Sequence, residues 1–152
     1  MHPLAWPFIC VLLTGGIIVS GCASLMKSPD VSVTGVSLSS ASLSEIALNV
    51  SLLVDNPNSF GITLKTLSFD VYYQAGGEWV YLSHGEAAGI RIEPGANNVT
   101  IPVTVSSAEL LRSLAEYFTK GEITLQIRGT ASPDFYGLAP TVPFTHTTTI
   151  KR

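Results

Sequence analysis

Residues 45–54 read EIALNVSLLV and alternate with a strict period of two. Ile46, Leu48, Val50, Leu52 and Val54 share one side, and Glu45, Ala47, Asn49, Ser51 and Leu53 share the other. A strand sends successive side chains to opposite faces, whereas a helix would scatter the same residues around its axis. The segment is therefore a half-buried β-strand, and its apolar face must be covered by another layer.

The same period recurs along most of the chain. Val31 and Val33 alternate, then Val36 and Leu38 take the opposite phase across Gly35, which predicts a bulge at that glycine. Leu67, Phe69, Val71 and Tyr73 face one way, with Ser68, Asp70 and Tyr72 opposite. In QAGGEW, Gly76-Gly77 supplies the positive φ of a tight hairpin. Trp79 to Leu82 reads as a strand, followed by a short one at Ile90 and Ile92. SLSSASLS and EPGANN read as turns, and Val99, Ile101, Val103 and Val105 form a strand that Pro102 assigns to a sheet edge. The period changes once. Ser106 to Glu109 matches the capping box S-x-x-E, Leu110, Leu111, Leu114, Tyr117 and Phe118 fall on one helical face, and Gly121 suits a helix C-cap. One helix is predicted, from Ser107 to Lys120. Ile123, Leu125 and Ile127, then Val142, Phe144, His146, Thr148 and Ile150, close the chain as strands. About seven short strands and one helix argue an all-β fold, a sandwich of two antiparallel sheets.

The 152 residues suffice for one domain with a real core. Charged residues make up 12%, against roughly 25% in ordinary globular chains, and 46% are hydrophobic. Wholesale disorder is excluded by that apolar content. The net charge is −3 and the bases are scattered, so no nucleic-acid partner is expected.

The N-terminus reads as an address. Leu4 to Val19 is an apolar run broken only by Thr14, Gly15 and Gly16. It is short for a membrane span of roughly 20 residues and suits a signal-peptide core. It ends in Val19-Ser20-Gly21-Cys22, which resembles the lipobox of prokaryotic lipoproteins. That resemblance implies cleavage before Cys22 and lipid on its sulfur. The alternative is an uncleaved N-terminal anchor helix. Three segments result: residues 1–21 as signal peptide, 22–30 as tether, and 31–152 as the β-sandwich domain. Either reading makes the membrane a partner and sets the domain on its extracytoplasmic side, and the lipobox resemblance implies a prokaryotic envelope. Cys10 and Cys22 are the two cysteines, so the mature domain is expected to be held by its core, without disulfides.

The residues offer little for catalysis. A nucleophilic site needs a base and an orienter in reach of the nucleophile. The body of the chain has two histidines, His84 in an expected turn beside Gly85 and His146 on a strand face, both read as ordinary surface residues. No G-x-S-x-G, phosphate loop, H-E-x-x-H or C-x-x-C occurs. Asp55 and Asp70 are the nearest to a carboxylate couple and read as strand-face or strand-end residues. Asp55-Asn56-Pro57-Asn58-Ser59-Phe60-Gly61 invites a calcium reading, but an EF-hand register from Asp55 puts Pro57 at position 3, Phe60 at 6 and Thr66 at 12. Neither a catalytic residue, nor a metal ligand, nor a cofactor is assigned. Turn chemistry accounts for the stretch instead: Pro57 presets a turn, and Asn56 and Asn58 satisfy backbone groups freed where a strand stops at Val54 and restarts near Ile62. Phe60 is expected to tuck in behind as an apolar plug. Asn98 in N-V-T, placed in a turn, and Asn49 in N-V-S are acceptor sequons for glycosylation in a host that glycosylates.

The stretch LNVSLLVDNPNSFGITLKTLSFDVYYQ resembles the type 2 late embryogenesis abundant proteins, the water-stress-and-hypersensitive-response domain, whose N-P-N motif falls here on Asn56-Pro57-Asn58. GEAAGIRIEPGANNVTIPVTVS, the helix and GEITLQIRGTA…VPFTHTTTI follow the order of that family, so the resemblance spans about Val31 to Ile150. It implies an immunoglobulin-like or fibronectin-III-like sandwich with one helix and no catalytic residues. The implied role is non-enzymatic protection of proteins or membranes under desiccation and other stress, here in a lipoprotein-like, membrane-tethered form. Client proteins or lipids would be its partners. Two other readings stand beside it: a module binding lipid or another hydrophobic ligand near Leu110, Leu114 and Phe118, and a surface adhesion or assembly module.

Overall fold

The computed structural model describes residues 26–42, 44–106 and 119–151. Seven strands follow one another: β1 Asp30–Ala41, β2 Glu45–Asn56, β3 Ile62–Ala75, β4 Glu78–Ile92, β5 Gly95–Ser106, β6 Glu122–Asp134 and β7 Val142–Lys151. They form two antiparallel sheets, one of three strands in the order β1-β2-β5 and one of four in the order β4-β3-β6-β7. The expected sandwich of antiparallel strands is thus the architecture observed. The predicted helix lies outside the described residues except for Thr119 and Lys120, which are helical, and Gly121 after them has φ 73°.

The alternation read from sequence becomes the inner faces of the two sheets. Leu48, Val50, Leu52 and Val54 of β2 are buried, as are Leu67, Phe69, Val71 and Tyr73 of β3. Ile101, Val103 and Val105 of β5 join them with Leu125 and Ile127 of β6. Each such side chain contributes about 1.5–3 kcal/mol by leaving water. Along the sides of the sandwich β4 lies beside β5 and β1 beside β7. At the first of these seams the Ser83 hydroxyl donates to the Thr104 carbonyl, tying one sheet to the other.

One row across the four-stranded sheet shows how the core is shaped. Gly85, Phe69, Gly129 and Phe144 are consecutive register partners on β4, β3, β6 and β7. A Cβ at Gly85 would lie 2.4 Å from the Phe69 ring, and one at Gly129 would lie 2.5 Å from the Phe144 ring and 2.6 Å from Phe69 Cβ. The rings therefore occupy the space that the two glycines leave, a cross-strand pairing that compensates for glycine in a strand.

Several local expectations change. The segments read as two strands at 79–82 and 90–92 are one strand, β4, because the small residues between them still pair with β3 through Ala87↔Leu67 and Gly85↔Phe69. His84 accordingly sits within β4, not in a turn. SLSSASLS is mostly strand: β1 continues to Ala41, with register shifts at Val33/Gly35 and Leu38/Ser40, the first at the predicted bulge. EPGANN reverses the chain at residues 93–94 alone, so Asn98 lies in β5 opposite Leu53. Asn97 makes this tighter reversal work. Its amide donates to the carbonyls of Glu93 and Gly95, both at 2.8 Å, and its Oδ1 accepts from Glu93 N at 3.0 Å. Pro102 stands on β5, an edge strand, where no ladder donor is missed.

Candidate functional site

The asparagine corner joins the two sheets, since β2 belongs to one and β3 to the other. Asn56 ends β2 and is 1% exposed. Its Nδ2 donates to the Phe60 carbonyl at 2.9 Å and to the Ile92 carbonyl at 3.5 Å. Its Oδ1 accepts from Asn58 N at 3.1 Å, the bond of an Asx turn, and from Asn58 Nδ2 at 2.9 Å. Pro57 between them is exposed. Phe60 is not the expected plug. It is 37% exposed, because the buried volume behind the corner is taken by the two amides themselves.

Asn58 reaches further. Its Nδ2 donates to the Lys27 carbonyl at 2.8 Å, and its Oδ1 accepts from Lys27 N at 2.9 Å. A primary amide offers a donor and an acceptor side by side, so it pairs with one residue's backbone as a neighbouring strand would. The segment before β1, the corner and the end of β4 are thereby clasped together. Every group involved is neutral and partnered, and among the described residues no buried side-chain nitrogen or oxygen lacks a partner. Such an arrangement holds backbone; it presents no nucleophile and no charge.

The histidine and carboxylate candidates Asp55, Asp70 and His84 are more open. His84 Nδ1 lies 2.7 Å from Asp70 Oδ1, with 48% and 41% of the two side chains exposed. Tyr72 donates to Asp70 Oδ2 at 3.5 Å and lies beneath the Arg128 guanidinium, 4.8 Å from ring centroid to Cζ. Exposed pairs of this kind contribute little stability. Asp55 is exposed at the end of β2, opposite Asp30. Among the described residues no three His, Cys, Asp or Glu side chains group as metal ligands would. Asn49 is half-buried in the middle of β2 and Asn98 is exposed on β5. Cys22 lies outside the described residues.

Sequence reasoning missed Lys27 as a partner of Asn58, because the two are 31 residues apart and the contact is to backbone, which leaves no trace in residue type. It also missed the Asp70–His84 pair, which exists only through the register of β3 on β4. Asn97 was legible in part, from an asparagine four residues after Glu93 in a Pro-Gly turn.

The class so defined is a two-sheet antiparallel sandwich clasped at one end by buried asparagines. The sequence model of the family described as Late embryogenesis abundant protein (LEA_2) matches residues 51–148, and the chain belongs to that family. It is similar to an uncharacterized protein of Methanocaldococcus jannaschii, with 34% identity over 82% of this chain and 69% of the other. A second uncharacterized protein of that organism is 33% identical over 66% of this chain, which spans a quarter of its length (25%). In fold, the chain is similar to a solution structure from Arabidopsis thaliana, with a TM-score of 0.65 and 18% identity over 90% of this chain and 89% of the other. A crystal structure from Archaeoglobus fulgidus is also similar, with a TM-score of 0.56 and 11% identity over 80% of this chain and 98% of the other.

Proposed function

We propose that this chain is a non-enzymatic stress-protection domain, held on the outer face of a prokaryotic membrane by lipid on Cys22. The observation that carries the reading is family membership over residues 51–148, which points to a stress-related domain in a family that is generally non-enzymatic. The corner agrees with it, since its buried amides are spent on holding backbone. The apolar run from Leu4 to Val19 and Cys22 after it support the anchor. Residues 22–30 are the tether in this reading, and the folded body shields neighbouring proteins or membrane as water leaves. Asn49 and Asn98 would serve as glycan acceptors only in a glycosylating host, and Asn98 is the more accessible.

A drying assay tests the protective role. An indicator enzyme dried with excess protein should keep more activity than one dried with an equal mass of albumin. Equal losses in the two samples would refute it. Mass spectrometry of the membrane fraction tests the anchor separately, through a diacylglyceryl-modified Cys22.

A further inference from the structure

The strands run so that one end of the sandwich collects the asparagine corner, the 93–94 reversal and the loop between β6 and β7. The same end receives the segment that leads in from the N-terminus, because Asn58 grips the backbone of Lys27. Four residues, Ala23 to Met26, lie between Cys22 and Lys27, and the five Cα steps reach at most about 18 Å when fully extended. This end also carries most of the exposed apolar bulk. The large hydrophobic side chains exposed among the described residues are Leu38, Phe60, Tyr81, Tyr136 and Leu138, and Phe60, Tyr136 and Leu138 belong here. Thr63 of β3 pairs with Asp134 of β6, which brings the chain just before β3, with Phe60, beside the chain just after β6, with Tyr136.

The tip that displays Tyr136 is built to hold its shape. Phe135 N donates to the Leu138 carbonyl at 2.7 Å, Leu138 N returns a bond to the Phe135 carbonyl at 3.0 Å, and Gly137 N donates to Asp134 Oδ1 at 2.8 Å. Tyr136 and Gly137 have φ of 52° and 93°, the pattern of a type I′ turn, for which asparagine or glycine is the ordinary choice at the first position. A tyrosine there, 90% exposed, sets aside local preference and solubility together. Leu138 beside it is 70% exposed, and residues 135–145 contain no Asp, Glu, Lys or Arg.

We propose that this end of the sandwich rests on the lipid bilayer, with Tyr136 and Leu138 in the interfacial layer and Phe60 at its margin. The inference depends on the tethered reading above, because the short link from Cys22 to Lys27 is what selects a membrane over other apolar partners. Tyrosine suits that depth, its ring among acyl chains and its hydroxyl among headgroups, and an uncharged loop enters without desolvating an ion.

The test uses the full chain, processed and lipidated, in phosphatidylcholine–phosphatidylglycerol vesicles. An environment-sensitive fluorophore is attached through Leu138→Cys or, at the opposite end, through Glu78→Cys; both positions are exposed, so the label does not disturb the core. Lipids brominated on their acyl chains should quench the label at position 138 at least threefold more than the label at 78. Tyr136→Asn, which suits the turn, should reduce that difference. An anchored chain whose two labels are quenched alike would overturn the inference while leaving the tether intact. So would a label at 138 shielded equally without vesicles in a dimer seen by gel filtration, which would give the surface to a second copy. A chain with unmodified Cys22 that stays off vesicles would defeat the tether, and the inference with it.

Discussion

Two reversals of the chain, at opposite ends of β3, are built in contrasting ways. At the Gly76-Gly77 hairpin, β3 turns into its own neighbour β4, and the backbone supplies what is needed: φ values of 58° and 90° that glycine adopts without a Cβ penalty. At the asparagine corner, β2 leaves one sheet and β3 begins in the other, so no ladder partner waits for the backbone between them. Side-chain amides take over that duty and recruit Phe60, Ile92 and Lys27. A turn within a sheet is a local matter, whereas a turn between sheets needs partners from distant chain, and buried amides are the neutral groups able to offer both donor and acceptor.

Substitutions at the two ends measure that difference. Asn56→Ala should cost most, about 2–3 kcal/mol by urea denaturation at unchanged m-value, because it leaves buried partners on Asn58 and Ile92, and the part-buried Phe60 carbonyl, unpaired. A loss below that of the hairpin variants would break the comparison. Gly77→Ala should follow at about 1–2 kcal/mol. Its cost comes from the positive φ alone, since an added Cβ would meet nothing within 4 Å. Asn58→Ala should cost about 1 kcal/mol, less than Asn56→Ala because the partly buried backbone of Lys27 can return to water. Its particular signature is faster amide hydrogen exchange at Lys27 with core amides unchanged, and unaltered exchange there would mean that the clasp does not hold the tether. Gly76→Asn should shift stability by less than about 0.5 kcal/mol, because asparagine tolerates φ 58° and Asn-Gly is a favoured type I′ pair. A larger loss at Gly76 would show that the hairpin also draws on contacts beyond its backbone.

Legibility followed the range of the interaction. The inward faces of β2 and β3, the bulge at Gly35, the glycine hairpin and the edge placement of Pro102 were each readable, because period, φ and the missing proline donor act within a few residues. Where side chains were small, the pattern faded. His84 and Gly85 looked like a turn, yet they lie in β4 because β3 pairs along the whole segment. Asn56, Pro57 and Asn58 were readable as a backbone-holding corner, but Phe60 was assigned to the inside on hydrophobicity alone and stands at the surface. Nothing in residue type marked Lys27, since Asn58 binds its main chain.

By itself the sequence determined the strongly alternating strands, which of their faces turn inward, and the family. Strand alternation and turn chemistry are short-range, and the motif sits in a contiguous stretch. The tertiary structure alone decided that β1-β2-β5 and β4-β3-β6-β7 are the sheets, that Phe69 lies between Gly85 and Gly129, and that Asn58 grips the segment entering from the N-terminus. Those choices are made by register and packing between residues far apart in the chain, where alternation says which face is apolar but not what covers it.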